Sequence, residues 1–194
     1  MNNAMKNQLT QTAKAWATRA TDDISPEHYC ETRDIFQSRL DIMLQNALRF
    51  FGADEAKAYL LTAIVGEIGS NSFDHNLGNW ADVPGIFFGY SFPNDGEWFV
   101  VLADRGQGIL KTLRHARPSL ANDLDALKVA FTEKLSGRAP EDRGNGLKFV
   151  RNGVQEESFH LFLSSGTAKA KLNAKTNFSE SEEGIHGCFA LLSK

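Results

Sequence analysis

Long hydrophobic runs are missing from this chain. No apolar stretch approaches the roughly 20 residues that a membrane-spanning helix needs. The opening residues, Met-Asn-Asn-Ala-Met-Lys-Asn-Gln, hold no apolar segment of the kind that directs secretion. No membrane partner is therefore expected. Cysteine is scarce: Cys30 and Cys188 stand alone, with no neighbour at metal-ligand spacing. A disulfide framework and a zinc site are both disfavoured, and a reduced, cytoplasmic protein is expected. Clusters of basic residues are missing as well. Lys and Arg total 21 against 24 Asp and Glu, a net charge of −3, and nowhere reach the density of a nucleic-acid face. Three catalytic signatures are also absent: the Gly-x-x-x-x-Gly-Lys-Ser/Thr phosphate loop, the His-Glu-x-x-His zinc helix and the Gly-x-Ser-x-Gly elbow.

What remains is the composition of a globular α/β protein. Of 194 residues, 42% are hydrophobic and 14 are Phe, enough for a substantial core. A helical extension over residues 1–30 and one domain over 31–194 are expected. Apolar spacing predicts helices near 4–20, 31–51, 55–76, 122–135 and 146–156. Strands are predicted at 85–92 and 97–103, joined by Pro93-Asn94-Asp95-Gly96, and near 158–164, 167–172 and 185–192. Residues 173–183 read as an exposed loop. The long polar stretch 110–143 reads as a lid rather than a packed unit.

Chemistry concentrates in three places. Glu67, Asn71 and His75 recur at i, i+4, i+8, which stacks a carboxylate, a carboxamide and an imidazole on one helix face. Such a row is either an ordinary solvated stripe or a place where a cation, water and phosphate meet. An amide oxygen suits magnesium, and a carboxylate one turn away can orient or deprotonate a nucleophile. Gly66 and Gly69 inside that helix cost about 1 kcal/mol each relative to Ala. Tight packing or the close approach of a ligand would each account for them.

Next comes Asp104-Arg105-Gly106-Gln107-Gly108-Ile109, at the end of the apolar strand Trp-Phe-Val-Val-Leu-Ala. A carboxylate there needs donors. A base amine is one source, with the glycines letting a flat base approach the backbone, and a tight turn explains the glycines equally well. Third is Arg143-Gly144-Asn145-Gly146-Leu147-Lys148 at a helix start, where free amides and the helix dipole suit phosphate. Arg143 and Lys148 add charge there or are plain surface cations.

Taken in order, these elements resemble the GHKL ATP-binding superfamily, the histidine kinase-like ATPases. That group includes DNA gyrase, Hsp-type chaperone ATPases, sensor histidine kinases and mismatch-repair ATPases. The resemblance covers roughly residues 35–192. The position of His75 and the short helical lead-in are most similar to the anti-sigma-factor serine kinases and small stand-alone ATP-binding proteins. It implies a two-layer α/β sandwich, the Bergerat fold, with helices on one face of a mixed sheet.

The resemblance also implies roles. ATP and Mg²⁺ are the cofactors, with Asn71 the protein's magnesium ligand and Glu67 the catalytic base or orienting group. Asp104 reads the adenine amine, with Gly106, Gly108 and Ile109 beside it. Arg143, Gly144, Asn145, Gly146, Leu147 and Lys148 surround the phosphates, and His75 borders the nucleotide or caps its helix. Two features depart from the pattern. Cys188, in Gly184-Ile185-His186-Gly187-Cys188, stands where the family has Thr, with Ser165-Gly166-Thr167 an alternative. His28-Tyr29-Cys30-Glu31 lacks the pairing of a phosphoacceptor histidine. The implied function is a cytoplasmic regulatory protein kinase or slow ATPase acting on a protein partner. The alternative is a non-catalytic module whose ATP-ordered lid engages that partner. A homodimer through the Trp16 helix and the 31–51 stripe is a further expectation.

Overall fold

The structure, a computed structural model, describes residues 2–80, 82–94, 96–134 and 145–194, with side chains from residue 4. Six helices and five strands are present among them. In chain order they are α1 (Asn2–Ala17), β1 (Tyr29–Cys30), α2 (Arg33–Phe51), α3 (Glu55–Asn76), β2 (Ile86–Ser91), β3 (Phe99–Asp104), α4 (Gly108–Arg114), α5 (Asp123–Thr132), α6 (Gly146–Glu156), β4 (His160–Leu172) and β5 (Thr176–Ser193). The sheet order is β1-β2-β3-β5-β4.

Every pairing is antiparallel, so the expected mixed sheet is corrected to an antiparallel one. Strand direction follows from how the chain crosses between strands, which apolar patterning does not encode. The register aligns Ala103 with Phe189 and Ser165 with Cys188. It thereby brings the end of β3, residue 188 of β5 and residue 165 of β4 into one row across the sheet.

Both faces of the sheet are covered. On one, α2, α3, α5 and α6 enclose the main core, which includes Phe36, Leu61, Ile64, Phe88, Val100, Phe131, Val150 and Leu163. On the other, α1 lays Ala13, Trp16 and Ala17 over Phe87, Phe99, Val101, Ala103 and Phe189. Helices on a single face were expected; the N-terminal helix adds a layer. Trp16 and the α2 stripe of Phe36, Leu40, Met43 and Ala47 are each at most 4% exposed within their own chain. These side chains are spent on the chain's own core, while Leu48 and Phe51 of the same stripe are partly buried. Among the described residues no helix is long and apolar enough to cross a membrane.

Local chemistry explains the boundaries that position the site. Asp54 caps α3, its Oδ1 accepting from Lys57 N at 3.3 Å. Thr32 caps α2 in the same way, accepting from Ile35 N at 3.3 Å. Gly66 and Gly69 serve the α2–α3 contact. A Cβ on Gly69 would stand 2.2 Å from Phe36 Cζ, and one on Gly66 would stand 3.1 Å from Leu40 Cδ2. Packing, not ligand approach, accounts for both. α1 ends at Ala17, earlier than its apolar pattern, because Arg19 turns left-handed at φ 61°.

Three other expectations are corrected. The segment after the first glycine motif is not a lid as far as residue 134: α4 and α5 pack there on Leu113, Leu120, Ala126 and Val129, while Leu127 and Phe131 enter the main core. Residues 135–144, with the rest of the expected lid, lie outside the described residues. The supposed loop 173–183 is mostly strand, forming the distal part of the β4–β5 hairpin from Thr176 onward. Gly166, read as a gap between two strands, is a bulge within β4 at φ 57°.

Candidate functional site

The site is built along one stretch of α3. Glu67, Asn71 and His75 form the first polar row. Asn71 Nδ2 donates to Glu67 Oε1 at 3.3 Å. Glu67 in turn lies against the first residue of α6: a Cβ on Gly146 would fall 1.7 Å from Glu67 Oε1. Glycine at that position therefore lets the carboxylate rest on the positive end of a helix, a favourable place for a negative charge. Asn145, the residue before α6, makes no side-chain capping bond. Leu147 packs on the core, and Lys148 is half-buried in the first turn of α6. Arg143 and Gly144 lie outside the described residues.

A second polar row, one residue further round α3, holds the other glycine motif. Ser72 Oγ donates to Asp104 Oδ2 at 2.8 Å. Asn76, 4% exposed, donates through Nδ2 to Ser72 O at 2.8 Å and to Asp104 Oδ1 at 3.5 Å. Its Oδ1 accepts from Gln107 N at 2.8 Å. Gly106 N completes the ring, donating to Asp104 Oδ1 at 2.8 Å. Gln107 Nε2 donates to His75 O at 2.9 Å, so His75 contributes its backbone carbonyl to the loop that follows Asp104.

The glycines of this loop have partners inside the chain. A Cβ on Gly106 would sit 2.0 Å from Asn76 Nδ2. Gly108, at φ 77°, starts α4 with Ser165 Oγ 3.2 Å from where its Cβ would be. Ser165 Oγ accepts from Ile109 N at 3.0 Å and donates to Gly187 O at 2.9 Å. Gly187 has φ 106°, and a Cβ there would stand 2.3 Å from Asp104 O. Both the left-handed backbone and the close approach require glycine.

Electrostatics follow from burial. Asp104 is 2% exposed. Burial holds its carboxyl above the ordinary value, against the donors on Ser72, Gly106 N, Cys188 N and Asn76. The Cys188 thiol is pushed well up, first by burial and then by the Asp104 charge, so it remains a thiol near neutrality. Ser165 and Cys188 both belong to this region. The two are paired across β4 and β5, while Thr167 is turned to Asp123, whose Oδ2 accepts from Thr167 N at 2.9 Å.

The structure thus groups Glu67, Asn71 and Gly146 at one point of α3 and Asp104 and Gly106 at another, with Gly108 and Ile109 held beside the latter by Ser165 of β4. Glu67 and Asn76 are separated by nine residues, or about 13 Å of helix. Ser72 and Asn76 were missed from the sequence. The signal for both was there, since Ser72 and Asn76 repeat the i, i+4 spacing of Glu67 and Asn71.

Among the described residues no group of three or more His, Cys, Asp or Glu side chains is placed to hold a metal. One carboxamide fits a magnesium ion carried chiefly by phosphates and water. Asn71 meets that description, because its nitrogen is committed to Glu67 and its oxygen is the remaining donor atom. A cavity of about 480 Å³ lies at the opposite end of α3, between Arg49, Phe51, Asp54 and Lys57, and none of the site residues lines it. No protein-family model matches this chain, and neither does any curated protein.

Proposed function

We propose that this chain is an ATP- and magnesium-binding domain of the GHKL type with the Bergerat architecture. In the cytoplasm it would regulate a protein partner by phosphoryl transfer or slow hydrolysis. One observation carries this reading: two polar rows of α3, one residue apart around the helix, meet the two glycine elements. Glu67 rests on Gly146 at the start of α6. Ser72 and Asn76 hold Asp104 and Gly106 some two turns further on.

A nucleotide laid along this stretch has its phosphates at the α6 end and its base at Asp104. The uncapped amides of α6 suit the former. The acceptor oxygens of Asp104 suit an exocyclic amine, once the Ser72 hydroxyl yields or shares Oδ2. Asn71 would hold magnesium through its amide oxygen, and the ion would neutralise phosphate charge. Glu67 would orient or deprotonate the nucleophile.

A second reading has one observation of its own. Glu67 already accepts from Asn71 and rests on Gly146, which is a positioning duty. In that reading the domain binds nucleotide without turning it over and presents a nucleotide-dependent surface to its partner.

The test is metal dependence. Asn71→Ala should weaken binding of ATP in the presence of Mg²⁺ by about tenfold, since it removes the ion's protein ligand. With the metal chelated, variant and wild type should bind alike. Calorimetric titration with and without chelator checks this, and a Mg-ATP affinity indifferent to Asn71→Ala would remove the magnesium assignment.

A further inference from the structure

Arg105 lies between Asp104 and Gly106, yet it points away from the polar rows of α3. It is fully buried at 0% exposure. Its Nε donates to Trp16 O at 2.7 Å, and its Nη1 donates to Asp22 Oδ1 at 2.8 Å and Asp82 Oδ2 at 3.2 Å. Nη2 donates to Thr21 O, and the guanidinium carbon stands 4.8 Å from the centre of the Trp16 ring. All of these partners but Asp82 belong to the N-terminal segment, more than 80 residues away in sequence.

Stability alone does not call for this arrangement. A buried guanidinium carries a desolvation cost that an apolar side chain under Trp16 would avoid. What arginine supplies is direction: a planar fork of donors fixes its own orientation, and with it that of the backbone from which it grows. That backbone carries Asp104 on one side and Gly106 on the other. Both belong to the hydrogen-bond ring of the Asp104 carboxylate. The far end of the link is releasable, because the Asp22 side chain is 88% exposed and lies in a stretch without regular structure.

We propose that Arg105 is a positioning residue that couples the N-terminal segment 16–22 to base selection at Asp104. The inference rests on the nucleotide reading above, and it adds a duty for the first helix: the segment that covers the outer face of the sheet also sets the geometry with which Asp104 meets a base. Anything that draws Thr21 and Asp22 off the guanidinium would then loosen base selection from outside the site.

The experiment is the ratio of Mg-ATP to Mg-GTP affinity, measured by calorimetry on the full chain and its variants. A partly unfolded population lowers both affinities by the same factor and leaves the ratio unchanged, so the ratio reports geometry and not stability. Arg105→Lys keeps the charge and loses the fork, and it should reduce the ratio about tenfold, through ATP. Asp22→Asn is the second variant. The Asp22 side chain is 88% exposed and lies outside regular structure, so the fold should survive the loss of its charge, and the ratio should fall about threefold. Wild-type ratios in both variants would overturn the coupling. A wild type that does not prefer ATP would instead overturn the nucleotide reading, and the coupling with it.

Discussion

Asparagine at position 104 is expected to lower the affinity for Mg-ATP about 100-fold while the protein stays folded. The exchange nearly preserves shape. The oxygen that accepts from Gly106 N remains an oxygen. The oxygen that accepts from Ser72 becomes an amide nitrogen, and the Ser72 hydroxyl can rotate to accept instead. The bonds to Gly106 N and to Ser72 can thus both be kept. What disappears is an acceptor for a base amine, which would then face a second donor across the site.

The same variant has a pH signature. Burial raises the Asp104 carboxyl above its ordinary 3.8. The folded chain therefore holds that proton more tightly than the unfolded chain does. The group's contribution to stability is greatest below the ordinary value and is lost as pH rises through the folded one. Asp104→Asn should remove that part of the slope in thermal melts. In the wild type, ATP affinity should fall as pH drops through the folded value, because the protonated carboxyl offers a donor where the amine needs an acceptor. Unchanged ATP affinity in Asp104→Asn would show that this carboxylate does not read the base.

Glu67→Ala is expected to act on turnover rather than on binding. Removing a general base costs on the order of 10²-fold in rate or more. ATP affinity should stay within about threefold, because Glu67 is assigned to the nucleophile and not to the nucleotide. Truncation releases the Asn71 amide and opens space beside Gly146, and neither change removes core packing. Melting temperature should therefore move little. The measurement is single-turnover hydrolysis or transfer against a verified wild-type activity. Full turnover in Glu67→Ala would retire the catalytic role and leave the binding module as the better account.

The sequence disclosed the spine of the site but not its closure. α3 was legible from its start, where Asp54 offers a cap, but its buried side only in part. Of the core side expected at Ala56, Leu60, Ala63, Ile64 and Ile68, the two isoleucines are buried and Ala56 and Ala63 are exposed, with Ala58, Leu61 and Val65 inside instead. The start of α6 was legible from its glycines. Asp104 was legible as a carboxylate at the end of an apolar strand. Its saturation was not, because Ser72 and Asn76 read as ordinary polar residues until the fold brings β3 beneath them. Arg105 was overlooked for a related reason. An arginine beside glycines reads as exposed, and its partners at Trp16, Thr21 and Asp22 are distant in sequence.

The far end of β5 escaped because a hairpin extending past its neighbouring strand is solvated along much of its length. There the alternation of apolar and polar residues fades, and only Phe178 reaches an aromatic partner, Phe131. α4 and α5 were folded into a lid because polar residues dominate their exposed sides, while Leu113, Leu120, Ala126 and Val129 close a small cluster of their own.

The central claim is that Asp104 and the glycine elements along α3 form an adenine-nucleotide site. Calorimetric titration of the full chain with ATP and with GTP, each in the presence of Mg²⁺, tests it most directly. Adenine offers an amine to Asp104, whereas guanine sets a carbonyl against it and leaves two acceptors facing each other. The expected result is micromolar-range affinity for ATP and much weaker binding of GTP. Equal affinity for the two, or binding of neither, would contradict the account.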